Sequence, residues 1–118
     1  RIFIGHFFTT MQLVMAGNDS QGLRYGTIET PEKHYLEWKE ADDTAGAVSK
    51  LDHHLSQVCR KDRLLELIHD FIVFDAGIKK TCRHNQYFGI QSAKQFIARR
   101  EGGIIWHTQG SGKSLTMV

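Results

Sequence analysis

A glycine-rich loop followed by Lys-Ser has the residue types that bind phosphate groups. Gly110 and Gly112 allow the backbone to curl, so that successive amide N–H groups can converge on one anion. Lys113 would reach the β- and γ-phosphates of a nucleoside triphosphate, and the Ser114 hydroxyl would ligate Mg²⁺. The loop therefore predicts a site for a nucleoside triphosphate and its magnesium ion.

The residues on both sides of the loop predict the strand–loop–helix context that such a site requires. Residues 104–106 are an apolar run before the loop, and residues 115–118 are a largely apolar segment that can begin a helix. The strict pattern G-x-x-x-x-G-K-[ST] has glycine where this chain has His107, so only the inner G-x-G-K-S is kept. A plain Gly/Ser turn is the alternative, and the flanking apolar runs favour the phosphate loop.

Composition and charge allow one small core and set few limits on partners. The chain has 118 residues, of which 41% are hydrophobic, and a formal net charge of +2. This mildly basic balance neither requires nor excludes nucleic acid. Cys59 and Cys82 are isolated, which favours a reducing cytoplasmic setting over a disulfide framework. No signal peptide is expected, and no apolar run approaches the roughly 20 residues of a membrane span, so no membrane contact is expected.

Both ends of the sequence predict a piece of a larger enzyme. The chain begins at Arg1 without an initiator methionine and stops about one helical turn after the loop. A nucleotidase of this type also needs an acidic strand for the metal and a group that positions the attacking water. Those later motifs are expected after Val118.

The first forty residues have β-like patterns. Apolar residues 12–16, turn-forming residues 17–22 and alternating residues 23–29 predict a hairpin with a six-residue loop. A hairpin alone is marginal in water, so a larger sheet is expected. Residues 1–9 suit either a third strand or the end of a helix, and Thr30-Pro31-Glu32 begins a short helix or an ordered loop.

Three helices are predicted in the middle of the chain, after a small, acidic linker at residues 40–46. Apolar residues at spacings of three and four indicate helices at about 47–59 and 62–73, with residues 74–77 ending the second. A third helix is predicted at about 85–99, and residues 101–103 turn the chain into the strand before the loop. The fold class is therefore α+β, with an N-terminal β-hairpin, three middle helices and a strand–P-loop–helix start.

Three runs of the sequence resemble the R (restriction) subunit of type I restriction–modification enzymes. They are Phe-Ile-Val-Phe-Asp at 71–75, Arg-His-Asn-Gln-Tyr-Phe at 83–88, and residues 101–118 with Trp-His-Thr-Gln-Gly-Ser-Gly-Lys-Ser. The hairpin also resembles strands that close the family's PD-(D/E)xK nuclease domain, which a superfamily 2 helicase-like motor follows. The resemblance implies the end of the nuclease domain at 1–40, a helical linker at 41–80 and the start of the ATPase domain at 81–118.

The resemblance also implies roles for particular residues. Gln86 would be the glutamine that reads the adenine edge, flanked by Arg83 and Tyr87, although an ordinary polar residue at a helix start is the alternative. The family often has Arg-Tyr-His-Gln where this chain has Arg-His-Asn-Gln. Lys113 would be catalytic, and Ser114 would hold the metal. The residues implied to bind the triphosphate are Thr108, Gln109, Gly110, Ser111, Gly112, Lys113 and Ser114.

The family implies a site-specific deoxyribonuclease that hydrolyses ATP. Its cofactors are ATP and Mg²⁺, and its partners are double-stranded DNA and the specificity and methyltransferase subunits. The chain on its own is expected to be inactive. Two alternatives remain, which are a superfamily 2 translocase without a nuclease and a non-catalytic linker between nuclease and motor.

Other candidate sites are weaker. Glu37-Trp38-Lys39 has the E-x-K spacing of a metal-dependent nuclease, but the possible partner Asp19 lies in a turn cluster, and the family's catalytic residues are expected upstream of Arg1. A further set of residues could suggest zinc but lacks the spacing of a closed site: Asp52, His53, His54, Cys59, Cys82 and His84. Five basic residues could touch DNA phosphates or simply face solvent: Lys79, Lys80, Arg83, Arg99 and Arg100.

Overall fold

The computed structural model describes residues 4–40 and 49–118, which form a small α+β fold. The chain divides into two compact units, residues 1–81 and residues 82–118. The predicted linker at 40–46 lies almost entirely outside the described residues. The domain limits predicted at residues 40 and 80 stay predictions.

The first unit contains a three-stranded antiparallel sheet in the order β1-β2-β3. Its strands are β1 (Val14–Asn18), β2 (Gly22–Gly26) and β3 (Leu36–Glu37). The hairpin is confirmed, but the predicted six-residue loop is wrong, because Asn18 pairs with Gly22 and leaves three residues between the strands. The Asn18 carboxamide oxygen accepts a hydrogen bond from the Gln21 N–H at 2.7 Å, which closes this turn locally.

Short helical segments precede and follow the hairpin. Within the described part of residues 1–9, helix α1 (Gly5–Thr9) decides between the two alternatives in favour of a helix. The Thr-Pro-Glu start produces only a 3₁₀ turn, Glu32–His34. Pro31 and Tyr35 on either side of it are extended, so the chain enters β3 instead of a longer helix.

The first two of the three predicted middle helices lie in this unit, and both are present. The second of them ends earlier than its sequence pattern indicates. Helix α2 (Lys50–Val58) begins at Ser49, whose hydroxyl accepts the Asp52 N–H at 3.1 Å. Helix α3 (Lys61–Asp70) is followed by a second hairpin, β4 (Ile72–Asp75) and β5 (Ile78–Thr81). The helix predicted through residue 73 is therefore wrong over its last three residues.

The second hairpin forms because its two turn residues both have positive φ. These angles are 49° at Ala76 and 79° at Gly77, which suit a two-residue turn between twisted antiparallel strands. Residues 74–77 therefore do not end a helix, and the conformational freedom of Gly77 serves to reverse a strand. Apolar β-branched and aromatic residues fit either element, so periodicity alone could not separate them.

The core of the first unit lies where the sheet meets α2 and α3. Tyr25 and Trp38 are each 1% exposed, and their ring centroids are 6.1 Å apart. The other strongly buried apolar side chains of the unit are Leu23, Val58, Leu67 and Phe71. Burial of these side chains is the main stabilising contribution, on the order of 1.5–3 kcal/mol for each large apolar residue.

A buried histidine joins α2 to the sheet. His54 is 6% exposed, and its Nδ1 atom accepts the Leu23 N–H at 3.0 Å. A Cβ atom at position 22 would lie 2.5 Å from the same nitrogen, and Gly22 also has a φ of 81°. Burial lowers the pKa of His54 below its ordinary value of 6.5, and the nearby Lys50 charge lowers it further.

We expect the protein to lose stability in mild acid because of His54. Its folded-state pKa is depressed, so the contribution is fully present above pH 6.5 and is lost as the pH falls towards the folded-state pKa. Protonation of Nδ1 would leave the buried Leu23 N–H without its acceptor, at a cost of about 1–3 kcal/mol. Thermal unfolding between pH 7.5 and pH 5, followed by Trp38 fluorescence, measures the loss.

The neighbouring His53 provides the control for that experiment. In His54→Asn the amide oxygen can accept from Leu23 without titrating, so the acid sensitivity should largely disappear. His53→Asn should keep it, because the half-buried His53 is not the residue that accepts the Leu23 N–H. Equal acid sensitivity in the wild type and in His54→Asn would show that another group is responsible.

The second unit contains helix α4 (His84–Ala98) and the short helix α5 (Lys113–Thr116). Helix α4 confirms the third predicted helix. It ends in a Schellman arrangement, in which the N–H groups of Arg100 and Glu101 donate to the carbonyls of Ile97 and Phe96, each at 2.9 Å. Arg100 adopts the left-handed conformation, with φ at 57°, so the turn begins before the two glycines.

The strand expected before the phosphate loop is not observed. Residues 101–108 have no regular secondary structure. Ile104 and Trp106 are 90% and 88% exposed, and no described strand pairs with them. A strand is defined by hydrogen bonds to a neighbour, so an apolar β-prone run without that neighbour does not form one.

Candidate nucleotide-binding site

The glycines of the predicted phosphate loop have the backbone conformation that the sequence requires. Gly110 and Gly112 have φ angles of 78° and 86°, which other residues rarely adopt. The Ser111 N–H donates to the Thr108 carbonyl at 3.3 Å and closes a turn, and α5 begins directly after Gly112. The loop is therefore a tight turn that leads into a helix.

Most of the loop is accessible to a ligand. Ser111 and Gly112 are half-buried, and the other five predicted binding residues are exposed: Thr108, Gln109, Gly110, Lys113 and Ser114. The Lys113 ammonium donates to the His107 carbonyl at 3.4 Å, which is a long hydrogen bond to a neutral acceptor. A phosphate oxygen would be a stronger partner for this charge.

Helix α4 holds the end of the loop through Gln86. This side chain is 3% exposed, and its Nε2 atom donates to the Gly112 carbonyl at 2.8 Å. Its Oε1 atom accepts the Arg83 N–H at 2.8 Å, which satisfies one free donor at the start of α4. The structure thus brings together Gln86 and the loop, which are 26 residues apart in sequence. The adenine contact of Gln86 stays a prediction.

Two further contacts between α4 and the loop region were missed from the sequence. The Asn85 carboxamide donates to the Ser111 carbonyl at 3.4 Å. A Cβ atom at Gly89 would lie 3.1 Å from the His107 ring, so the ring packs directly on the helix backbone. A glycine inside an amphipathic helix was the available signal, since such glycines often mark a close approach.

Some polar atoms near the loop make no hydrogen bond within the described part of the chain. They are the buried Nδ1 of His107 and the buried hydroxyls of Ser111 and Thr116. Buried polar groups in folded proteins are almost always paired. The loop region therefore contains three buried polar groups that the described residues leave unsatisfied.

The alternative nuclease site at Glu37 has different contacts. Its carboxylate lies 3.2 Å from the Arg24 guanidinium and 3.3 Å from the Lys50 ammonium. Burial alone would raise the pKa of Glu37. The Lys50 and Arg24 cations outweigh burial and lower the pKa below its ordinary range. Within residues 4–40 and 49–118, no three His, Cys, Asp or Glu side chains form a group that could hold a metal ion. Glu37 thus belongs to an ion-pair network.

Comparison with known proteins finds that the loop and nearly all of α4 are similar to a segment of an ATPase family. A family model for the SWI2/SNF2 ATPase matches residues 85–118, which begin one residue before Gln86 and include the whole loop. The type I restriction enzyme HindI endonuclease subunit of Haemophilus influenzae is 28% identical over 112 residues, covering 80% of this chain. The chain is therefore similar to an endonuclease subunit of a type I restriction enzyme. The resemblance found in the sequence is confirmed.

A second endonuclease subunit is also similar to this chain. A protein of Methanocaldococcus jannaschii, provisionally named type I restriction enzyme MjaIXP endonuclease subunit, is 24% identical over 134 residues and covers 89% of this chain. The chain spans 11% and 13% of the lengths of these two subunits. None of the helices in the described residues is long and apolar enough to cross a membrane.

Proposed function

We propose that this chain is part of an ATP-driven, DNA-translocating endonuclease subunit of a type I restriction enzyme. In this proposal residues 82–118 belong to the ATPase motor, and the N-terminal strands contribute to the nuclease part. The observation that carries it is the glycine turn with Lys113 and Ser114, tied to Gln86 inside the segment that resembles the SWI2/SNF2 ATPase. The relatives' names support the nuclease half.

The residues of the loop fit a magnesium–nucleoside triphosphate complex. Lys113 supplies an exposed positive charge, and the exposed Ser114 hydroxyl is the hard oxygen ligand that Mg²⁺ prefers. Gly110 and Gly112 supply positive φ angles, which let backbone N–H groups turn towards an anion. ATP would supply the phosphoryl group that is transferred to water, and this hydrolysis would drive DNA translocation. These loop residues would hold and orient it.

Double-stranded DNA and the specificity and methyltransferase subunits are the proposed macromolecular partners, and the proposed location is the cytoplasm. Specificity in this arrangement resides in another subunit. The chain alone should bind Mg-ATP weakly, because motor motifs outside it are needed to complete the site. A translocase without nuclease activity is the second candidate, favoured by the SWI2/SNF2 match over residues 85–118.

The proposal is tested by ATP hydrolysis in the full-length subunit assembled with its partners. Linear double-stranded DNA with the recognition site should raise the hydrolysis rate at least several-fold, and cleavage should require ATP. Hydrolysis without cleavage would favour the second candidate. If neither hydrolysis nor Mg-ATP binding occurs, the proposed function is wrong.

A further inference from the structure

Positive charge is concentrated in the second unit of the chain. Residues 82–118 contain five Lys and Arg residues and one acidic residue, Glu101, so their formal net charge is +4. The whole chain has a net charge of +2, which leaves −2 for residues 1–81. Such a difference in charge between two parts of one chain indicates that the basic part meets a polyanion.

Three of the five basic residues lie at the end of α4 and form what we call the α4 basic cluster: Lys94, Arg99 and Arg100. All three are exposed. Arg99 lies 13 residues beyond Gln86, which corresponds to about 20 Å along a helix axis. Gln86 is the residue of α4 that contacts the phosphate loop. A triphosphate held at the loop therefore does not account for this cluster.

The side chains of the cluster are not required to end the helix. The N–H groups of Arg100 and Glu101 already donate to carbonyls of the last helical turn, each at 2.9 Å. The Arg99 guanidinium lies 3.5 Å from the Glu101 carboxylate, and more than half of each side chain is exposed, so this ion pair contributes little to stability. The cluster and Glu101 together have a net charge of +2.

The aromatic ring of Phe96 gives one member of the cluster a defined orientation. The Arg99 guanidinium lies 5.0 Å from the centroid of this ring, within the range of a cation–π contact. A guanidinium held at the surface in this way loses less conformational entropy when it binds a phosphate through two parallel hydrogen bonds. The end of α4 therefore presents a partly pre-organised cation beside two further positive charges.

We propose that the α4 basic cluster contacts the phosphate backbone of double-stranded DNA. This inference rests on the proposed function, in which a motor moves along DNA, and it assigns the contact to a surface separate from the nucleotide loop. Duplex DNA carries about one negative charge per 1.7 Å of its axis, so it can meet several neighbouring cations at once. Phosphate contacts are independent of base sequence, as movement along any DNA requires.

The test measures binding of the full-length subunit to fluorescently labelled duplex DNA at several salt concentrations. One variant replaces all three residues of the cluster with glutamine, which is polar and uncharged: Lys94→Gln, Arg99→Gln and Arg100→Gln. The matched control removes three exposed cations of the first unit in the same way: Lys33→Gln, Arg60→Gln and Lys61→Gln. Arg60 is a suitable match for Arg99, because it also forms an exposed ion pair.

The cluster variant should bind DNA more weakly and with a smaller dependence on salt. Each lost phosphate contact should reduce the slope of log affinity against log salt concentration by about 0.9, so the loss should approach about 2.7. At about 0.1 M salt the affinity should fall at least about tenfold, and by the same factor for two duplexes of unrelated sequence. The control variant should keep the wild-type slope. Replacing Arg99 and Arg100 with lysine keeps both charges and should keep the slope as well.

Three results would overturn the proposed DNA contact. If the cluster variant keeps the wild-type slope but assembles less well with the methyltransferase subunit, the cluster binds protein. An equal loss in the control variant would mean that total charge alone determines the affinity. A loss confined to one of the two duplexes would indicate base reading.

Calorimetric titration with Mg-ATP separates the DNA contact from the proposed function. The cluster variant should bind Mg-ATP like the wild type, since the cluster lies far from the loop. Wild-type nucleotide binding together with unchanged DNA binding in this variant would overturn the contact alone. A wild type that binds neither Mg-ATP nor DNA would overturn the proposed function, and the contact with it.

Discussion

Replacing Lys113 with alanine is expected to weaken Mg-ATP binding to the full-length subunit by roughly 10- to 100-fold, the range for a lost hydrogen bond to a charged group. The side chain is exposed, and its contact within the chain is the 3.4 Å hydrogen bond to the His107 carbonyl. Truncation therefore removes the proposed phosphate contact without disturbing packing. Calorimetric titration with Mg-ATP measures the change, and hydrolysis should fall with it.

Two variants make the Lys113 prediction specific. Lys113→Arg keeps the charge but changes its geometry from a compact ammonium to a planar fork, so only part of the affinity should return. Lys33→Ala removes an exposed lysine of the first unit and should leave binding unchanged. Wild-type affinity in Lys113→Ala would contradict the phosphate role of the loop, provided that its unfolding temperature matches that of the wild type.

The second large effect is expected at Arg63, whose replacement by alanine should cost the first unit about 3–5 kcal/mol. The Arg63 side chain is 7% exposed and makes two hydrogen bonds to the Glu40 carboxylate, at 2.6 and 3.2 Å. It also donates to the Gln57 carbonyl at 2.9 Å and lies 5.3 Å from the Trp38 ring centroid. Removing it leaves a partly buried carboxylate without its cation.

The Trp38 environment reports this loss directly. Its indole N–H donates to Glu40 at 3.0 Å, so disruption of the pair should shift the fluorescence of this otherwise buried ring. Lys80→Ala is the matched control, since it removes the exposed pair with Asp75 and should change stability by less than about 1 kcal/mol. An equal loss of stability in the two variants would mean that burial does not increase the contribution of the Arg63–Glu40 pair to the free energy of unfolding.

The pKa of Glu40 shows how its partly buried carboxylate responds to the hydrogen bonds from Arg63 and Trp38. Burial alone would raise the pKa of Glu40, but the hydrogen bonds from Arg63 and Trp38 outweigh it and lower the pKa below 4.5. Such a carboxylate stabilises the fold above its ordinary pKa, and that contribution is lost as the pH falls through the folded value. As the pH falls, the acid effect of Glu40 therefore begins at lower pH than that of His54.

The sequence predicted the elements whose signals are local. The hairpin of β1 and β2 follows from alternation around a turn cluster, and helices α2, α3 and α4 follow from apolar residues at spacings of three and four. The positive φ angles at Gly110 and Gly112 follow from glycine itself. The relation to type I restriction endonuclease subunits was likewise readable from three short runs of residues, because it depends on residue identity.

Tertiary contacts decided the features that depend on a partner distant in sequence. Residues 72–75 became a strand because residues 78–81 pair with them, whereas residues 104–106 formed no strand because no described neighbour pairs with them. The pairing of Glu40 with Arg63, and of Gln86 with Gly112, joins groups 23 and 26 residues apart. Local sequence determines which conformations a segment prefers, but a hydrogen bond or an ion pair also needs its second partner. That partner is specified only by the folded chain.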